Sequence, residues 1–541
     1  MKFNNLIDSK PRELSAEDVF AGLLDHGIFA DKIPPCFTSE GLSSAIAPQT
    51  LQLLDEQNES KLKKLLHTYC HDYVRYQALR DINVPRHLGI PHPESYLVQS
   101  LAIKKHWEEI NCHNKASSKK VSRVHVRYID GKRIFEMNYK GYDHPQLEEN
   151  ELQWMAGAQF VVKADISACF PSIYTHSVPW ALHGRDESKS KRGLLALSGN
   201  LLDQCSQKTR DGQTNGLLIG PHSSNIISEI ILTKIDSQLL AKGYEKIKRH
   251  IDDYEFYAES FETAEHFLHD LGLALREYEL TINEKKTKIL KLPRPSGENW
   301  VNELNRFHFS KDEEIKFATV RSFLDLALDL SQIAGTSAPL NYAIQVMSKG
   351  PNKKPRQLNE RTKRLYVQES INLALYYPYL TPLLEEYVFE QYSCSDLKER
   401  VTSFVNHLII LGTQRLYPDA IAHGLYYALK YKLDVEFQNS QEIIAIDDCI
   451  VNVLLLKYAE SNELHEIKSK IQTRSCKLKY DPEYMKNLSD DDLKSYKSII
   501  KKEQDRQWLL IYQTWTSSEL ETNGQEFLGK LKNDKFEFLK T

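Results

Sequence analysis

Residues 244–260 read YEKIKRHIDDYEFYAES, with side-chain character alternating at period two on both sides of Asp252 and Asp253. That alternation predicts a tight β-hairpin with the two acids at its tip. Like charges in one turn repel, a cation relieves the repulsion, and hard divalent ions take carboxylate oxygens. Taken alone, a turn open to water accounts for the pair more simply. Other acidic runs have a structural account: Asp447 and Asp448 start one helical stretch, and Asp490, Asp491 and Asp492 start another, where acids complement the helix dipole.

The hairpin does not stand alone. Residues 160–180, FVVKADISACFPSIYTHSVPW, begin as a short apolar strand that ends in Asp165, with Phe170 following just before Pro171 turns the chain away. One carboxylate at a strand end and another on a neighbouring hairpin tip is the arrangement that two-metal phosphoryl transfer needs. The backbone carbonyl of Ile166 offers a further oxygen ligand. Between the acids, residues 212–232 read GQTNGLLIGPHSSNIISEIIL; Gly212, Gly216 and Gly220 let backbone approach a ligand, and the amphipathic stretch after them can brace the strands. Beyond the hairpin, Ser260 is an N-cap for the helical pattern that follows, and LTINEKKTKILKL at 280–292 returns toward strand. Lys285 and Lys286 in that turn are placed to reach a triphosphate or to protonate departing pyrophosphate, although surface lysines look the same.

Outward from this centre the texture changes twice. Residues 1–80 read as helical, with Leu51, Leu54, Leu62, Leu65, Leu66, Tyr69, Tyr73 and Tyr76 at spacings near three and four. Pro85, Pro91 and Pro93 then break helix, and a new unit starts. Residues 121–138 alternate around an Asp130, Gly131 turn, a hairpin signal that puts Arg123, His125 and Arg127 on one face. That basic face suits either water or phosphates. After about residue 310 amphipathic helical stretches dominate, and KGPNKKPRQLNERTKR at 349–364 carries seven basic residues and one acid, a solvated loop or a phosphate contact.

Composition bounds the classes. A chain of 541 residues exceeds a single core, and 41% hydrophobic with 27% charged residues excludes a disordered, collagen-like or coiled-coil chain. Seventy Lys plus Arg against 74 Asp plus Glu, net −4, give no bulk signal for nucleic acid, so any basic groove is local. Eight scattered cysteines without a CxxC read as reduced thiols. With no leader pattern at the N-terminus and no apolar run near 18 residues, the expected location is cytoplasmic, with no membrane contact.

Asp165 with Phe170, the Asn215, Gly216, Ile219, Gly220, Pro221 segment, the Ile251, Asp252, Asp253, Tyr254 turn and the 283–287 segment occur in the order of reverse-transcriptase palm motifs A to D. The set resembles a reverse transcriptase over about residues 85–295. RHLGIPHPESY with Trp107, and DRQWLLIY in the helical C-terminal half, look like bacterial abortive-infection and defence-associated reverse transcriptases of the unknown-group kind. Two departures stand out: His250 where Tyr is usual, and Asn215 where Gln is usual.

The resemblance implies an α/β plus all-α fold: an N-terminal helical segment at 1–84, right-hand polymerase fingers and palm at 85–310, and a large helical C-terminal domain at 311–541. It implies a DNA nucleotidyltransferase in antiphage defence, with Asp165, Asp252, Asp253 and the Ile166 carbonyl holding two Mg²⁺ ions, or Mn²⁺. Phe170 would lie under the incoming sugar and exclude a 2′-OH. Asn215, Gly216, Arg123, Arg127 and Lys286 would line the nucleotide site. Its partners would be dNTPs, a DNA product that stays attached when one of the 28 Tyr primes it, a non-coding RNA, and further copies of the chain in a homo-oligomer. Two other readings remain: a conventional RNA-templated enzyme of a retroelement, and a catalytically inactive RNA-binding or toxin-like scaffold.

Overall fold

Tyr73 and Tyr76 lie in a strand rather than on a helix, which corrects the helical reading of residues 1–80. The computed structural model describes residues 14–56, 58–80, 84–117, 121–122, 124–129, 133–136, 144–295, 298–309, 314–349, 354–436 and 440–540. Strand β1 (Tyr73–Arg80) buries Val74, Tyr76 and Ala78 and exposes Arg75 and Gln77, a period of two. The spacing of Tyr69, Tyr73 and Tyr76 imitates a helical stripe only because it crosses from the helix Glu59–Thr68 into this strand. β1 pairs antiparallel with β2 (Val84–Pro91) along its whole length. This hairpin straddles the boundary drawn between residues 84 and 85, so the helical segment ends before Tyr73. The helix Pro93–Lys105, entered through Pro93 and buried through Tyr96, Leu97, Leu101 and Ile103, follows as expected.

The hairpin expected at 121–138 is β3 (His125–Ile129) against β4 (Arg133–Glu136), with a register shift between Val126 and Ile129; its Asp130, Gly131 turn lies outside the described residues. The central sheet contains β5 (Phe160–Asp165), β6 (Ile247–His250), β7 (Asp253–Ala258) and β8 (Lys288–Lys291) in the order β6-β7-β5-β8, all antiparallel. Two helices brace it. His222–Ala241 buries Ile226, Ile227, Ile230, Ile231 and Ile235 completely, each contributing about 1.5–3 kcal/mol. Phe261–Glu277 is capped by Ser260, whose hydroxyl accepts from the Thr263 amide at 3.1 Å, and it stacks Phe267 on Phe256 with ring centroids 4.5 Å apart.

Beyond β8 every regular element among the described residues is a helix. Their amphipathic faces meet one another, for example Leu397–Arg415 on Pro418–Tyr431, and also meet β1. The Tyr76 hydroxyl donates to Asp419 at 2.5 Å, the Leu79 amide donates to the same carboxylate at 3.0 Å, and Arg506 pairs with Asp72 at 2.7 Å. The C-terminal half thus grips the first hairpin. Asp448 and Ser489 cap helices, with Asp490, Asp491 and Asp492 in the first turn after Ser489, the structural role expected of those acids. In the basic segment, Arg356 stacks on Phe309 at 3.9 Å and Arg364 pairs with Asp396 at 2.9 Å. All eight cysteines are free, and no helix among the described residues is long and apolar enough to cross a membrane.

Candidate active site

Three segments meet at the end of the central sheet. Register pairs Asp165 on β5 with Asp253 on β7. The Ile166 amide donates to the Asp252 carbonyl at 3.1 Å, and the Asn283 amide donates to the Asp165 carbonyl at 2.7 Å. Asp165 is 6% exposed, and both its oxygens are occupied: Oδ1 accepts from Asn283 Nδ2 at 2.8 Å and Oδ2 from Lys286 Nζ at 2.7 Å. Asp252 is half-buried and Asp253 exposed. Loss of solvent and the Asp165 charge push the Asp252 carboxyl up. Asp253 is pushed up to about 6, by loss of solvent first and then by Asp252 and Asp165. Like charges thus raise two of the three acids, a repulsion that a cation would offset.

The glycine-bearing segment docks on the chain after β5 through backbone alone. The Gly216 amide donates to the Ile173 carbonyl at 2.7 Å, Leu217 to Phe170 at 2.8 Å and Thr175 to Thr214 at 2.8 Å. Gly216 has φ +86°, and a Cβ there would stand 2.8 Å from the Pro171 carbonyl; only glycine fits. The neighbouring Asn215 is exposed, and its carbonyl accepts from Arg210. Phe170 is half-buried at this junction, next to Cys169, whose thiol burial pushes up to about 12, with the charges of Asp252 and Asp165 adding to the rise.

Of the basic residues expected at the site, Lys286 is there. Arg123 lies outside the described residues, and of Arg127 only the β3 backbone is described. The residue that sequence reasoning missed is Arg86 on β2. Arg86 is exposed, yet partial loss of solvent and Arg80 hold its guanidinium below its usual value, and Asp252 draws it the other way. The amide of Gly89, three residues on, donates to the Ile219 carbonyl at 3.0 Å and ties β2 to the glycine-bearing segment. Asn283 was also missed as a partner of Asp165. The Asn and the Arg of RHLGIP both stood in quoted motifs, but only folding shows where they point. His250, opposite Asp253, is held below its ordinary value by burial and by Arg249.

Among the described residues, one trio offers metal-ligand atoms all within 4.8 Å of one another, and it is His71, His92 and Glu94 rather than the aspartates. Its geometry is that of an ion pair. His71 Nδ1 is 2.9 Å from Asp505 and Nε2 is 2.9 Å from Glu94, while His92 stacks on it at 3.9 Å with ring planes 9° apart. Stacked parallel rings cannot aim in-plane lone pairs at a common ion. The three aspartates stand wider apart, and an ammonium on Asp165 offsets only part of their mutual repulsion, but they supply only oxygen donors. They fit a hard divalent cation.

Residues 103–321 match the reverse transcriptase (RNA-dependent DNA polymerase) family. The segment that carries all three aspartates is therefore a reverse-transcriptase domain, and the chain is by class an RNA-directed DNA polymerase. Such domains act on nucleic acid and dNTPs with divalent metal ions. No curated protein matches the chain. Among solved structures, apo telomerase from Candida tropicalis aligns over 84% of this chain and 77% of that one, with 10% identity and a TM-score of 0.30.

Proposed function

We propose that the chain adds dNTPs to DNA at Asp165, Asp252 and Asp253, in bacterial antiphage defence. The observation that carries the chemistry is the meeting of the carboxylate at the end of β5 with the adjacent pair at the tip of the β6–β7 hairpin, with Lys286 seated on Asp165. These acids would hold two Mg²⁺ ions, replaceable by Mn²⁺, which supply an activated hydroxyl and neutralise triphosphate charge. The Ile166 carbonyl, whose amide is already tied to Asp252, is a further oxygen at the same place.

The protein's own groups orient the reactants. Arg86, whose charge acts on Asp252, would hold phosphate oxygens with its guanidinium fork. Lys286, whose ammonium lies 2.7 Å from Asp165, would offer a proton to the departing pyrophosphate. Phe170, tied through its carbonyl to the Leu217 amide next to the Asn215, Gly216 turn, would close the sugar side against a 2′-OH.

The defence assignment rests on the two segments that carry the subgroup resemblance, and they meet in space. Glu94 and His92 of RHLGIPHPESY contact His71 and Gln525, while Asp505 of DRQWLLIY holds the other side of His71. With that subgroup come DNA synthesis from a protein tyrosine without an external template, or on a non-coding RNA, and assembly through the helical half. The test is incorporation of labelled dNTPs by the full chain with Mg²⁺ and no added primer, before and after nuclease treatment. Product that survives pretreatment and stays bound to protein supports protein-primed synthesis. Loss after RNase shows a bound RNA, and activity only with added template and primer refutes the untemplated reading.

A further inference from the structure

Arg249 is 0% exposed directly behind the catalytic turn. It shares the inward face of β6 with Ile247, where the strand pattern calls for an apolar residue. Its five N–H groups are all used. Nε donates to both Asp236 oxygens at 3.0 Å, and Nη2 donates to Asp236 at 2.7 Å and Glu229 at 2.8 Å. Nη1 donates to Glu229 at 3.0 Å and to the Ile251 carbonyl at 2.9 Å. Asp236 also accepts from the Tyr254 hydroxyl at 2.8 Å and the Ser117 hydroxyl at 2.5 Å.

Buried ion pairs are weak grounds for stability, because apolar replacements often serve as well. The informative bond is the one that does not go to an acid. Ile251 has φ +56°, a left-handed conformation that a β-branched residue avoids unless its surroundings impose it. Its carbonyl belongs to the peptide plane that leads into Asp252. The next plane is fixed by the bond from the Ile166 amide to the Asp252 carbonyl. Asp252 is thus clamped on both sides, by Arg249 before it and by the Asp165 strand after it.

We propose that Arg249 is the positioning residue of this turn: through the Ile251 carbonyl it imposes the left-handed backbone that aims the Asp252 carboxylate at Asp165. The assignment rests on the reading of Asp165, Asp252 and Asp253 as the metal-binding acids. A lysine keeps the charge but has one compact ammonium, which cannot serve two carboxylates and a carbonyl together.

The test is Mn²⁺ affinity of the full chain without nucleotide, read from the free-ion electron paramagnetic resonance signal. Arg249→Lys weakens binding roughly tenfold, the scale of a lost outer-shell partner. Ile251→Gly alone stays within about twofold, since glycine adopts positive φ freely. The double variant regains affinity to within about threefold of wild type, because the turn no longer has to be imposed. Unchanged affinity in Arg249→Lys, or a double variant no better than it, overturns the proposal. Should Arg249→Lys fail to fold by circular dichroism, Glu229→Gln disturbs the partner shared by Nη1 and Nη2 while keeping the Asp236 pair. Weakening of about threefold there supports the proposal, and unchanged affinity overturns it. Asp252→Ala separates the two claims: if it binds Mn²⁺ like wild type, the metal-site reading fails, whereas loss there with normal binding in Arg249→Lys rejects only the positioning role.

Discussion

His71→Gln removes the cation that joins the two halves of the chain. Burial alone would push the His71 imidazolium down, but Asp505 and Glu94 hold it up to about 9 from 6.5. At about 1.4 kcal/mol per tenfold, this corresponds to roughly 3 kcal/mol, the lower end of what breaking a buried ion pair costs. Because the folded value lies above the unfolded one, the contribution is complete below about pH 6.5 and is lost as pH rises through about 9. Amide hydrogen exchange of β1, corrected for the intrinsic rate, reads it locally, since Tyr76, Leu79 and Asp72 in and beside that strand bind the C-terminal helices. At about pH 6.5 the variant should exchange roughly a hundredfold faster. Wild type should lose that protection on going to about pH 9.5, and the variant should show little further change. Exchange within about threefold of wild type at the lower pH, or parallel pH curves, refutes the reasoning.

Asp253→Asn removes one of three repelling carboxylates, so thermal melting without metal should rise while Mn²⁺ binding weakens; a lower melting temperature contradicts the repulsion. Gly216→Ala forces a Cβ toward the Pro171 carbonyl at positive φ, and activity of the soluble protein should fall at least about tenfold. Phe170→Ala should raise rNTP use relative to dNTP by roughly tenfold, measured as the ratio of kcat/KM values. Arg86→Ala should raise the KM for dNTP by about tenfold, with a smaller effect on kcat.

The acids were legible because a carboxylate at the end of β5 and a pair at a hairpin tip are local patterns, and the order of the four segments ties them together. The helical C-terminal half was legible from periodicity alone. β1 was not: its tyrosines continue the spacing of the preceding helix, and only the pairing with β2 decides between three-to-four and two. Arg249 left one trace, a charge on the inward face of a strand, but its acids sit on a helix 13 and 20 residues upstream. Arg86 and the His71 cluster depend on contacts between segments far apart in the chain, up to 434 residues for His71 with Asp505, and no local pattern encodes those.

The most direct test of the central claim is Mg²⁺-dependent incorporation of labelled dNTPs by the full chain beside Asp252→Asn and Asp165→Asn, each checked for wild-type folding. Wild type should synthesise DNA, and both variants should give background signal. Undiminished synthesis in either folded variant would contradict it.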